Sequence, residues 1–210
     1  ITDPLFNGRS PDGPWSFASD PITWLAIAFI TWFAIHFAPE RLHGDAANFL
    51  LQVVDSGWFF ISNGRWIMPL SQWMAVAGTQ LGVPMSGLIA LFSLGNVATL
   101  VACYAFVRLK LRDHQAGLAL VATQMIGLTH ALFCPVFEFY FGAMLLVVFL
   151  AVLRSTQLGT TSRMVLLSAL FFLVLSSHFL AMLVAGMTLV LVRVWREPKL
   201  AGSLTLVLVV

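Results

Sequence analysis

Charged side chains are scarce in this sequence. Asp, Glu, Lys and Arg make up 10% of its 210 residues, whereas hydrophobic residues make up 60%. Because a soluble globular domain carries about 25% charged residues, the composition argues against an ordinary soluble protein. The sequence also lacks a Gly-rich phosphate loop, a Cys-x-x-Cys pair, a nucleophile elbow and a basic nucleic-acid patch. We therefore expect neither nucleic-acid binding nor the usual chemistries of soluble enzymes.

Cysteine is nearly absent. The two cysteines, Cys103 and Cys134, lie within or at the end of apolar segments. Isolated cysteines of this kind are usually small core residues, so they predict no disulfide framework. The first apolar segment also lacks the marks of a signal peptide, because Asp20 rather than a basic stretch precedes it and no cleavage site follows it. We expect a retained helix there.

Long apolar stretches are what the sequence has in abundance. A helix needs about 20 apolar residues to cross a hydrocarbon core of roughly 30 Å. After a polar cytoplasmic tail over residues 1–20, the predicted spans are about 21–39, 84–107, 116–134, 136–153, 164–179 and 180–195, with the start of another at 201–210. The expected fold class is all-α, a polytopic transmembrane helical bundle. A first residue Ile1 and a last apolar run cut short indicate a fragment of a longer chain.

Basic residues fall on alternate breaks between these stretches. The basic breaks contain Arg108, Lys110 and Arg112, then Arg154 and Arg163, then Arg193, Arg196 and Lys199. Basic flanks stay on the cytoplasmic side during insertion. The intervening breaks, which have Arg41 and Arg65 as their only basic residues, are therefore predicted to face outward.

The first outer loop, residues 40–83, is predicted to contain two helices. Over residues 45–60 the apolar residues Phe49, Leu50, Val53, Val54 and Trp58 recur at helical spacing, which is typical of an amphipathic helix in the membrane interface. Gly44-Asp45 is a start signal and Ser56-Gly57 a stop signal.

Residues 66–82 allow two interpretations. They are apolar enough to span, but they contain Pro69, Gln72 and Gln80. A crossing here would also invert every later segment and place the break at 108–112 outside. We therefore interpret residues 66–82 as a second interfacial helix, which leaves nine of the eleven Lys and Arg inside.

The predicted outer face collects ionisable side chains, which at membrane depth are costly and point to function. They are His36, Glu40, His43, Asp45, Asp55, Arg65, His130, Glu138 and His178. Structural roles also explain single members: Glu138 at a helix start favours the helix dipole, Arg65 can snorkel to lipid phosphate and Asp45 can cap a helix.

Several of these features resemble integral-membrane glycosyltransferases of the GT-C superfold. The resemblance covers roughly residues 21–180. It includes the Gly44-Asp45-Ala46 context in a large outer loop after the first span, the amphipathic helix, Gly64-Arg65 with Pro69, the acidic start of the helix at Glu138, and Ser177-His178. The aromatic or second acid that often follows the family's Asp is replaced here by Ala46-Ala47-Asn48, and the family's soluble C-terminal domain is absent.

The resemblance implies a bacterial inner-membrane enzyme that uses a polyprenyl-phosphate sugar donor at the outer face. Asp45 would be the general base for the acceptor hydroxyl, and Arg65 would stabilise the departing phosphate. His43, Glu138 and His178 would bind acceptor or phosphate. A divalent metal ion held by Asp45, His43 and His178 is also implied as an option.

Other function classes stay open at this point. A transporter or ion-relay subunit would use Glu138, His130 and His178, helped by the polar residues Ser93, Asn96, Thr99, Thr123 and Gln124 within predicted spans. A metal or haem protein would use His36, His130 and His178 as ligands from separate helices. A structural subunit of a larger membrane complex is the third alternative.

Overall fold

The computed structural model describes residues 15–126, 138–178, 183–184 and 186. These residues form helices and connecting turns without any β-strand, which confirms the all-α prediction for the part described. The helices are α1 (Trp15–His36), α2 (Asp45–Ser56), α3 (Pro69–Gln80), α4 (Met85–Ala105), continued by a π-helical turn (Phe106–Lys110), α5 (His114–Ile126), α6 (Glu138–Arg154) and α7 (Thr160–Leu175). His130, most of the predicted span 180–195 and the run 201–210 lie outside the described residues.

Helix α1 runs antiparallel to α4. Two hydrogen bonds fix their register: the Thr23 and Tyr104 hydroxyls are 2.9 Å apart, and the Ser93 hydroxyl donates to the Ala34 carbonyl oxygen at 2.7 Å. The bonded positions are eleven residues apart on each helix, so the two axes run alongside one another at equal rise. The end of α1 therefore lies beside the start of α4.

Helices α3 and α4 form a close antiparallel hairpin through the turn at 81–84. At one end Gly78 faces Leu88 and Leu91; further along, Gly95 lies against the Ser71 carbonyl with no room for a Cβ. Beyond that, the Thr99 hydroxyl donates to the Leu70 carbonyl. Small and hydroxylated residues at the contact allow the two backbones to approach closely, as is common between helices in membranes.

The direction of α3 relative to α4 bears on the predicted in-plane helix. An in-plane helix beside a spanning helix would cross it steeply, but α3 follows α4 from Leu88 to Thr99. If α4 spans a membrane, α3 therefore cannot lie in the plane of that membrane. Helical periodicity could not reveal this, because it identifies a buried face without identifying the partner.

The apolar face predicted for α2 is present and is covered by protein. Ala46, Phe49, Leu50 and Val53 are buried, and they belong to one cluster with Met68, Ala75, Val76, Leu88 and Phe92 of the α3–α4 hairpin. The helix ends at Gly57, which has φ 66° and donates its N–H to the Val53 carbonyl. Glycine suits this left-handed position because it has no Cβ.

The largest hydrophobic cluster joins α4 to α5, α6 and α7. Helices α6 and α7 are linked by a short connection at 155–159 and pack with the Phe149 and Phe171 rings 5.9 Å apart. The buried residues of this cluster include Leu100, Leu120, Val152 and Leu167.

Among the residues that the structure describes, one helical stretch is long and apolar enough to cross a bilayer. It is Met85–Lys110, 26 residues, and shorter apolar helices occur at Pro21–His36, Tyr140–Arg154 and Thr160–Leu175. On α1 a row of large apolar side chains is exposed, namely Ile22, Leu25, Phe29 and Trp32. Contiguous exposed apolar surface of this kind is typical of contact with lipid or another protein.

Candidate functional site

The helix directions place two sets of ionisable residues at opposite ends of the bundle, one set mostly basic and the other containing acidic residues and histidines. At one end, which we call the basic end, lie Arg108, Lys110, Arg112, His114, Arg154 and Arg163. The ion pair of Asp113 with Arg154, 3.1 Å between Oδ2 and Nη2, ties the start of α5 to the end of α6 there. The opposite end, which we call the Asp45 end, comprises the segment His36–Asp45 after α1, the start of α6 at Glu138, and His178 after α7.

Arg41 organises the Asp45 end from inside. Its side chain is fully buried (0% exposed), and its Nη1 donates to the Ser93 carbonyl at 3.1 Å and to the Ser93 hydroxyl at 2.9 Å. Helical hydrogen bonds continue beyond α1, from Phe37 N–H to the Phe33 carbonyl and from Arg41 N–H to the Phe37 carbonyl. The guanidinium thus fastens the segment before α2 onto α4.

Sequence reasoning did not assign a role to Arg41. In the sequence, Arg41 could not be distinguished from a basic residue that anchors an outer loop at the membrane surface. Its partner Ser93 is 52 positions away. The available signal was Ser93 inside a mostly apolar helix, because a buried hydroxyl needs a hydrogen-bond partner.

Asp45 is exposed at the first position of α2. The N-cap is Gly44, with φ 58° and ψ −124°, and no side-chain hydrogen bond caps the helix. Among the residues described, none forms a hydrogen bond or ion pair with the Asp45 carboxylate. A carboxylate in the first turn is still favoured by the helix dipole. The N-cap role that the sequence suggested for Asp45 is occupied by Gly44.

Three other ionisable residues of the same segment are exposed. His43 precedes Asp45 by two positions, and its carbonyl accepts the Ala46 N–H at 3.3 Å. Glu40 is exposed next to the buried Arg41. His36 is exposed as well and stacks on Trp32, with ring centroids 5.3 Å apart. Glu40, His43 and Asp45 are therefore available to a ligand from solvent.

Arg65 lies at a different level from Asp45. It belongs to a turn before α3, in which its N–H bonds the Ser62 carbonyl and its carbonyl accepts the Met68 N–H. Its side chain is half-buried. Because Leu70 bonds Thr99, this turn is beside the middle of α4, whereas Asp45 follows the segment that is beside the start of α4.

The remaining predicted site residues are described in part. The backbone of Glu138 begins α6 at the Asp45 end, and its side chain is outside the described residues. His178 is exposed three positions after α7. The backbone topology therefore puts both residues at the same end of the bundle as Asp45.

Acidic and basic groups at the basic end are engaged with one another. The Asp113 Oδ1 atom accepts the Ala116 N–H at 2.9 Å and so caps α5, while Oδ2 binds Arg154. The Arg108 Nη1 atom lies 2.8 Å from His114 Nε2. Since an arginine has donors only, that His114 nitrogen is the acceptor.

Four of the polar residues inside helices make structural hydrogen bonds. Ser93 bonds Ala34 and Arg41, and Thr99 bonds the Leu70 and Gly95 carbonyls. In the α5 helix, the Thr123 hydroxyl donates to the Leu120 carbonyl and the Gln124 amide donates to the Tyr140 carbonyl. These side chains are used in helix packing, which removes much of the support for an ion relay through them.

A metal centre finds no support in the described part of the chain. No group of three or more His, Cys, Asp or Glu side chains there is close enough to hold an ion. The metal or haem site predicted from His36, His130 and His178 includes His130, which lies outside that part.

Comparison with known proteins gives no match to the model of any protein family, to a curated protein or to a solved structure.

Proposed function

We propose that this chain is a polytopic membrane glycosyltransferase that moves a sugar from a polyprenyl-phosphate donor to an acceptor hydroxyl at the Asp45 end. The observation that carries the proposal is Asp45 itself. It is an exposed carboxylate at a helix start, held by no described residue, beside exposed His43 and Glu40 and at the end opposite the basic end.

The chemistry needs few protein groups. Asp45 accepts the proton of the acceptor hydroxyl as that oxygen attacks the anomeric carbon of the donor sugar. The new glycosidic bond forms, the bond from the anomeric carbon to the phosphate oxygen breaks, and polyprenyl phosphate leaves with the electron pair. A positioned carboxylate base contributes roughly 100- to 10,000-fold to such a step.

Cationic or hydrogen-bonding groups would stabilise the departing phosphate. His43 is two positions from Asp45 in the chain and is the nearest of the predicted ligand-binding residues in sequence. Glu138, at the start of α6, and His178, after α7, are at the same end of the bundle. Arg65 would meet the donor only at the level of the middle of α4. Arg41, being fully buried, would act as a positioning residue for the segment that carries Asp45.

Membrane insertion is part of the same proposal. The span Met85–Lys110 and three shorter apolar helices support it, as does the exposed apolar row on α1. With basic flanks retained inside, the Asp45 end would face the outer side of a bacterial inner membrane. Lipids would then be partners along α1, and further subunits or domains remain compatible with this arrangement.

The test compares two carboxylates on one helix. Asp45→Asn and Asp55→Asn each remove a charge from an exposed position of α2, so both variants should insert and fold like wild type. We expect Asp45→Asn to bind the polyprenyl-phosphate sugar but to lose transfer by roughly 100- to 10,000-fold, and Asp55→Asn to keep wild-type transfer.

Two results would overturn the proposal. If wild type binds no polyprenyl-phosphate sugar, the donor class is wrong. If Asp45→Asn transfers as fast as Asp55→Asn, the base lies elsewhere.

A further inference from the structure

The turn before α3 is polar and partly exposed. It contains Ser62, Asn63, Gly64 and Arg65, of which Asn63 and Gly64 are exposed and have positive φ angles of 51° and 70°. The Ser62 N–H bonds the Met68 sulfur, so this polar turn is held directly at the start of α3.

The level of that turn follows from the α3–α4 hairpin. Leu70 is hydrogen-bonded to Thr99, and Ile67 belongs to the same buried cluster as Val97 and Leu100. Thr99 is nine residues before Arg108, or about 14 Å along a helix. That is close to half of a hydrocarbon core of roughly 30 Å. With Arg108 at the inner interface, the start of α3 is near the middle of the membrane.

The chain that leads down to this turn is not helical, and the backbone N–H and carbonyl of Phe60 within it are bonded by protein. The fully buried Gln72 accepts the Phe60 N–H at 2.9 Å and donates to the Phe60 carbonyl at 2.9 Å. A non-helical backbone within a bilayer is tolerated only when it is buried in protein or lines a water-filled cavity. Gln72 provides the first condition for Phe60, but the exposed Asn63 and Gly64 require the second.

We propose that residues 57–80 are a re-entrant element and that its polar turn, Ser62 to Arg65, lines a water-filled cleft reaching the middle of the membrane. Helix α3 rises from that turn along α4, and the cleft hydrates the exposed Asn63 and Gly64 at a depth where lipid could not. The inference rests on the part of the proposed function that makes α4 a spanning helix, and on no assumption about the reaction.

Helix α1 supplies a control at the same level. Phe29 lies between the Thr23–Tyr104 and Ala34–Ser93 bonds and is level with Ala98 of α4. It is exposed and belongs to the apolar row of α1. A residue at this depth that faces lipid is surrounded by hydrocarbon, whereas Asn63 would be surrounded by water.

The experiment measures how fast single cysteines react with a charged, water-soluble methanethiosulfonate in the intact membrane-inserted chain, with Cys103 and Cys134 replaced by Ser. The variants are Asn63→Cys, Ser62→Cys as a second turn position without a positive φ, Phe29→Cys, and Leu81→Cys at the outer turn. Because only a hydrated thiol ionises and reacts, we expect Asn63→Cys to react roughly ten-fold or more faster than Phe29→Cys.

Two outcomes would contradict different claims. If Asn63→Cys and Ser62→Cys are both as unreactive as Phe29→Cys while Leu81→Cys reacts, the turn is dry and the cleft does not exist. If Phe29→Cys reacts as fast as Leu81→Cys, this level of α4 is outside the membrane, and the membrane arrangement in the proposed function falls with it.

Discussion

The two ends of the bundle use charge in opposite ways. At the basic end the acid is engaged and the cations are accessible: Asp113 caps α5 and binds Arg154, and Lys110 and Arg112 are exposed. At the Asp45 end the cation is buried and the acid is accessible. Arg41 is fully buried against Ser93, while the Asp45 carboxylate is exposed. Each end therefore uses one sign of charge to hold the fold, the acid at the basic end and the cation at the Asp45 end, and leaves charges of the other sign exposed.

The largest effect on stability is expected from Arg41→Ala. The change leaves a cavity and removes the hydrogen bonds to Ser93, and a hydrogen bond to a charged group contributes about 1.5–3 kcal/mol. The free energy of unfolding, measured in detergent, should fall by that amount, and transfer should fall too because the segment carrying Asp45 is released from α4. Lys110→Ala, an exposed cation at the basic end, is the matched control and should stay within about 0.5 kcal/mol of wild type. Equal losses in both variants would remove the contrast between the two ends.

A smaller effect is expected from Asp113→Ala. The substitution removes the cap of α5, which is worth about 1 kcal/mol, together with the pair to Arg154. The free energy of unfolding should fall, while transfer should stay within about two-fold of wild type because Asp113 is at the other end of the bundle. A loss of transfer without a loss of stability would mean that the functional end has been misidentified.

The smallest effect is expected from Arg154→Gln. Arg154 is partly exposed (43% of its side chain), and exposed ion pairs contribute at most about 1 kcal/mol. The difference from wild type should shrink when salt is raised from about 0.1 M to about 1 M, because screening weakens the wild-type pair. A difference that is large and independent of salt would show that this pair does more than join two helices.

Local features of the fold were predictable from sequence. The start of α2 at Asp45 and its end before Gly57 follow from a helix-start signal and a left-handed glycine, both of which act within a few residues. The apolar face of α2 follows from periodicity. Its partner did not, since the same pattern serves a helix on lipid and a helix on the α3–α4 hairpin.

Long-range features were not predictable. The burial of Arg41 depends on Ser93, and the direction of α3 depends on Gly95 and Thr99 meeting Ser71 and Leu70. Nothing near Arg41 in the sequence distinguishes it from Arg65, and the two residues differ in level and burial. The exposure of Asp45 was expected, but the fact that Gly44 and not Asp45 is the cap required the backbone geometry.

The most direct test of the division between the two ends measures Asp45→Asn and Asp113→Ala side by side in the same membranes, for both sugar transfer and unfolding temperature. We predict that Asp45→Asn loses transfer at an unchanged unfolding temperature, and that Asp113→Ala, which removes the cap of α5, unfolds at a lower temperature but still transfers. If Asp45→Asn transfers normally and its unfolding temperature falls, Asp45 is a structural residue like Asp113, and the proposed site is wrong.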